Sequence, residues 1–138
     1  MKVTWTYDRG EQRDNHEVEL TDPNALEALL REIQQAGEPV VLTIFSDTTD
    51  DPDDLPPGIQ IGLGHPTHAF AVHITDDGAY LHDPTAEIPS DGVAFDLGGV
   101  PTEYPAEDLQ LRPETAIRLA VTFFKTGGEP PDLTAIAE

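Results

Sequence analysis

Val3, Trp5 and Tyr7 alternate with Lys2, Thr4 and Thr6, the two-residue period of a strand with one buried face. Asp8-Arg9-Gly10 reads as a turn, and His16 to Leu20 as the returning arm of a hairpin. The period then changes. Leu26, Leu29, Leu30 and Ile33 stand at i, i+3, i+4 and i+7, which a helix gathers into one apolar stripe. Asp22 caps this helix, Pro23 takes its first position and Gly37 stops it, so the pattern predicts a helix over 22–36.

The middle of the chain reads as sheet. Val40 to Phe45 is almost wholly apolar and β-branched, which suits a central strand covered on both faces. Ile59, Ile61 and Leu63 alternate with Gln60, Gly62 and Gly64, and Phe70, Val72 and Ile74 alternate with Ala71 and His73. Asp76-Asp77-Gly78 suits a hairpin turn with Ala79 to His82 returning, and Val93 to Leu97 forms a further strand.

Pro113 opens a second helix, with Glu114 in its positive first turn and Lys125 near its negative end. Ala116, Ile117, Ala120, Val121 and Phe124 share one face, widened by Leu119 and Phe123, while Arg118 and Thr122 look outward. Leu133 and Ile136 could add an edge strand near the end. With no helices between the middle strands, the pattern predicts one α+β domain over 1–138. Its fold is a single antiparallel or mixed sheet of about five to six strands with two helices packed on it.

Charge narrows the partners. Twenty-seven acids against seven bases give a formal net charge of −20. Such a surface repels nucleic acid and anionic membranes and attracts a basic protein. A merely solubilising or salt-adapted surface is the plainer reading of the same number. The chain has no cysteine, which excludes disulfides, thiolate zinc sites and cysteine nucleophiles. No apolar run reaches the length of a membrane span, and Met1 to Trp5 lacks the apolar core of a signal peptide, so a cytoplasmic protein is expected.

Three groups of residues could carry chemistry. His65, His68 and His73, with His82 further on, offer imidazoles for zinc or nickel, but Pro66 prevents a helical histidine pair. Asp47, Asp50, Asp51, Asp53 and Asp54 crowd a proline-rich loop but lack the glycine bend and closing glutamate of a calcium loop. Their mutual repulsion keeps the loop exposed, as a solvated linker or a functional loop. Ser46 and Ser90 are the only serines, and neither lies in a nucleophile elbow. The expectation is no enzyme, no catalytic residue, no metal and no cofactor.

The ordered pieces of the last two thirds point further. They are Leu55, Ile59-Gln60-Ile61-Gly62-Leu63-Gly64, the strand from Ala69 to Ile74, and Asp76-Asp77-Gly78-Ala79-Tyr80. Gly98-Gly99, Thr102-Glu103-Tyr104-Pro105 and Phe123-Phe124-Lys125-Thr126-Gly127-Gly128-Glu129-Pro130 complete the series. In order and spacing, this chain resembles the first family of Imm-type immunity proteins of bacterial polymorphic toxin systems, common in actinobacteria. It departs from the family pattern at Val100-Pro101, where an aromatic is usual, and at Leu133 to Glu138, which carries no tryptophan.

The resemblance implies an α+β inhibitor that binds a cognate toxin domain, often a nucleic-acid deaminase, and blocks its active site or substrate groove. Acidic mimicry of a phosphate backbone agrees with the charge. The candidate partner-binding residues are Asp47, Asp50, Asp51, Asp53, Asp54, Asp76, Asp77, Glu103 and Tyr104. Tyr104 could equally pack in the core or on the second helix, and Trp5 is expected in the core. Two alternatives stand beside inhibition: an accessory protein recruited to a biosynthetic gene cluster, and a small metal-dependent enzyme using the histidines.

Overall fold

The computed structural model describes residues 1–9, 12–45, 58–73, 92–97, 100–105, 109 and 111–126. Along the chain run β1 (Lys2–Arg9), β2 (Gln12–Glu19), α1 (Pro23–Ala36), β3 (Val40–Phe45), β4 (Gly58–Leu63), β5 (Phe70–His73), β6 (Val93–Leu97), β7 (Val100–Tyr104) and α2 (Pro113–Lys125). The architecture is α+β, one open and mostly antiparallel sheet with two helices. The seven strands among the described residues slightly exceed the five or six expected. The expected strands over 79–82 and in the C-terminal tail lie outside the described residues.

The sheet order is β2-β1-β3-β4-β5, and β6 also pairs with β3. One edge of β3 is therefore shared. Phe45 to Leu42 pair antiparallel with Lys2 to Trp5 of β1. Val40 pairs parallel with Asp96 of β6, whose N–H donates to the Pro39 carbonyl at 3.0 Å. β7 then folds back antiparallel on β6.

α1 forms where its caps say it should, and α2 opens at Pro113 without a side-chain cap. The Asp22 carboxylate accepts the Asn24 N–H at 2.9 Å, and Gly37 closes α1 in the left-handed region at φ 75°. Leu26, Leu30 and Ile33 point from α1 into the core, each worth about 1.5–3 kcal/mol of burial. From α2, Ala116, Ile117, Leu119, Ala120, Val121 and Phe123 are buried, and Arg118 is exposed.

The alternation along β3 divides the interior in two. Val40, Leu42 and Ile44 face the helices and join Val3, Tyr7, Ile59, Ile61 and Leu63 in the larger core. Val41 points the other way, into a smaller core with Phe70, Phe95, Tyr104 and Leu109. β3 is thus covered on both faces, as its apolar run implies.

The smaller core is mainly aromatic. Phe70 stacks on Tyr104 with centroids 4.2 Å apart, and Phe95 meets both rings edge-on. The row Val41–Gly62–Phe70 crosses three strands, and a Cβ on Gly62 would collide with the Phe70 ring. Leu109 and Leu111 straddle the sheet margin, one in each core, where Ala69 bridges to Leu111.

Candidate functional site

The fold separates the residues singled out from sequence. Asp47, Asp50, Asp51, Asp53, Asp54, Asp76, Asp77 and His82 lie outside the described residues. Of the stems of the two long segments, Phe45, Gly58 and His73 sit at one end of the sheet, and Gly92, next to Val93 opposite Tyr104, sits at the other. Phe45 pairs with Gly58 and with Lys2, and His73 pairs with Ile59 beside them. Glu103 sits at the other end, opposite Ala94 and two residues beyond the β3–β6 bridge, on the order of 20 Å along the strands from Phe45.

Glu103 is exposed and Tyr104 is not. Tyr104 is only 7% exposed, packed against Phe70 and Phe95 rather than against α2. Trp5 is half-buried beside the larger core, its ring stacked on His16 at 5.0 Å and 6°.

The histidines divide likewise. His65 and His68 share the turn after β4, with rings 5.5 Å apart, while His73 lies at the far end of β5. The His65 Nδ1 accepts the N–H groups of Thr67 at 3.2 Å and of His68 at 3.1 Å, closing a tight turn. Accepting at Nδ1 leaves Nε2 as the protonated nitrogen of the neutral ring. Burial, and then the neighbouring His68, push the His65 pKa below its ordinary value. Among the described residues, no three His, Cys, Asp or Glu side chains gather into a metal-holding group.

Gln34 of α1 fixes the same turn from the other side. Its amide donates to the His65 carbonyl at 2.7 Å and accepts the Gly64 N–H at 2.8 Å. Gly64 takes φ 103°, and a Cβ there would strike the Glu38 carbonyl, so only glycine fits.

A cleft of 320 Å³ opens between this turn and the helix pair, lined by Gln34, Gln35, Pro66, Arg112 and Ile117 beside Arg31 and Glu114. Arg31 reaches across to α2 and grips Glu114 through two bonds of 2.8 and 3.0 Å. Glu27 and Arg118 extend the network at 3.6 and 3.5 Å. The hydrogen bonds from Arg31 hold the Glu114 carboxyl below its ordinary pKa, and those to Glu114 raise that of Arg31. A carboxylate held ionised in this way is a poor proton donor near neutrality, so this cleft fits cohesion between helices better than acid–base chemistry.

A second acidic stretch was not singled out from sequence. Asn15, Glu17 and Glu19 are exposed on one face of β2, and Asp22 follows at the cap of α1. The legible signal was polar alternation, Asn15–Glu17–Glu19, within the returning arm of a hairpin.

These features define an α+β domain whose accessible side chains present charge and whose aromatics are mostly spent on packing. The family model for Immunity protein Imm1 matches residues 14–137, nearly the whole chain. The chain belongs to this family of immunity proteins. No curated protein and no solved structure matches it. No helix among the described residues is long and apolar enough to cross a membrane.

Proposed function

We propose that this protein binds a cognate toxin domain stoichiometrically and inhibits it, acting as a binding protein and not as an enzyme. The observation that carries the reading is the Imm1 match over 14–137 on a chain of net charge −20. A toxin that acts on nucleic acid, such as a deaminase, needs a basic groove for phosphates. An acidic inhibitor can occupy that groove and exclude the substrate. The aspartates at 47, 50, 51, 53 and 54, with Asp76, Asp77 and Glu103, are the proposed contacts; Tyr104, packed in the smaller core, is not one of them.

The test is co-expression with toxin domains encoded in neighbouring genes, where such genes are found. Growth should be rescued, and a one-to-one complex should elute together and lose affinity with added salt. Continued toxicity at full expression of a folded chain overturns the reading.

A further inference from the structure

We propose that the free edge of β2 docks an extended basic segment of the toxin partner as an added strand, a proposal that rests on the immunity reading for the partner's identity. β2 ends the sheet, and no strand among the described residues pairs with its outer side. It is eight residues long. The opposite margin offers far less: β5 has four residues, and the chain just before it is bridged to Leu111.

The hydrogen-bond phase of the hairpin fixes which groups face outward. The Leu20 N–H donates to the Met1 carbonyl at 2.8 Å, and the terminal amine donates back to the Leu20 carbonyl. Met1 and Leu20 are therefore a hydrogen-bonded pair. The register continues without a break to Arg9 and Gln12. In an antiparallel ladder hydrogen-bonded and non-bonded pairs alternate, so Val18, His16 and Asp14 bond to β1. Asn15, Glu17 and Glu19 belong to the other class, and their N–H and C=O groups point away from the sheet.

An exposed edge invites pairing, and proteins commonly close one with lysine, proline or a bulge. β2 has no lysine or proline, and its register has no bulge. What it carries instead is negative charge. Glu17 and Glu19 stand on the face away from the helices, opposite Thr4 and Lys2. A second copy of a chain of net charge −20 is repelled, and a cationic strand is drawn in.

The geometry also specifies the incoming sequence. Residues directly across from Glu17 and Glu19 in an antiparallel addition lie about 5.5 Å away and share their face. They sit two positions apart, so the matching motif is Lys or Arg at alternating positions. Glu17 already pairs with Lys2 at 3.1 Å, whereas Glu19 has no cation partner among the described residues. Glu19 is the stronger anchor.

Amide hydrogen exchange on the intact protein tests this with two synthetic peptides of equal composition and charge. One carries lysines at alternating positions between valines and threonines, and the other carries them consecutively. The alternating peptide should slow exchange at Asn15, Glu17 and Glu19 saturably and by roughly tenfold, with His16 and Val18 unchanged. Glu17→Pro should abolish the effect while sparing the hairpin, because the lost N–H faces outward. Glu19→Lys should weaken it without touching the backbone. Equal binding of both peptides, unaltered exchange at these three amides, or self-association through this edge overturns the proposal. Toxin neutralisation is read separately, so a chain that protects cells but fails here loses only the edge.

Discussion

The ring of Phe70 lies over Gly62, its neighbour across the β4–β5 pair, and fills the space that a side chain there would need. Glycine weakens an ordinary strand, but here it makes room for the aromatic stack of Phe70 and Tyr104. Gly62→Ala should therefore destabilise the protein by about 1–3 kcal/mol through overpacking. The same substitution with Phe70→Leu should cost less than the sum of the two changes. Urea denaturation of the double-mutant cycle checks this, and strict additivity would refute the packing account.

The turn after β4 depends on Gln34. Gln34→Met keeps the volume but strips both bonds from the turn, leaving the Gly64 N–H and His65 carbonyl short of partners. A loss of about 1–3 kcal/mol is expected, with faster amide exchange at Gly64. Gly64→Ala should be worse, since a collision adds to a backbone angle that alanine avoids.

His65 makes that turn sensitive to pH. Its folded pKa lies below the ordinary 6.5, so the unfolded chain takes up the proton first as pH falls. Its contribution to stability is fully present above about 6.5 and declines as pH falls through the folded value. Protonation also removes the acceptor used by Thr67 and His68. His65→Asn, which can close a similar turn without titrating, should flatten this part of the stability profile. Midpoints of thermal unfolding between pH 5 and 8 decide it.

The Arg31–Glu114 grip should count for little at neutral pH, because both side chains are nearly half exposed. Glu114→Gln should cost at most about 1 kcal/mol and less at high salt. The carboxyl pKa is depressed, so its contribution is present above the ordinary 4.5 and is lost as pH falls through the lower folded value. A double-mutant cycle with Arg31→Gln at pH 7 and pH 3 measures the coupling.

For the aspartate-rich segment at residues 47–54, the expected signature is kinetic. Asparagine at Asp50, Asp51, Asp53 and Asp54 should lower the association rate with the toxin more than it raises dissociation. The difference should shrink with salt, since screening shortens from ~10 Å at 0.1 M to ~3 Å at 1 M. Surface plasmon resonance across salt concentrations reads it, and an unchanged association rate at low salt would make the segment a solvated linker.

Much of the fold was legible where local chemistry settles it. Asp22, Pro23 and Gly37 bounded the first helix, and Pro113 and Lys125 the second. Val40–Phe45 and Val93–Leu97 stood out as apolar runs. β2 begins at Gln12, four residues before the apparent start of its arm, because polar Gln12 to Asn15 carry no apolar period. β7 was hidden by Pro101, which normally argues against a strand. The Asp96 N–H points to Pro39, away from β7, so the position opposite, Pro101, is one whose N–H the β6–β7 ladder does not use.

The site was less legible. A row of like charges in one segment is visible in a linear string. The Glu17–Glu19 edge appears only once the pairing order shows that, among the described residues, no strand lies beyond β2. Tyr104 likewise stood beside an exposed glutamate in the sequence, but its ring is claimed by Phe70, more than thirty residues earlier in the chain.

The shared margin of β3 carries a consequence for how the chain is born. Residues 1–73 can lay down five strands and α1, yet among the described residues the side chains that pack on Val41 and Phe70 on that side, Phe95, Tyr104 and Leu109, all come later in the chain. At roughly 5–20 residues per second, a ribosome takes about 2–6 s to reach Tyr104. Through that interval Phe70 lacks the Phe95 and Tyr104 rings that pack on it in the finished fold. Slow closure is a condition that chaperones meet, and codon choice between residues 74 and 104 sets how long it lasts.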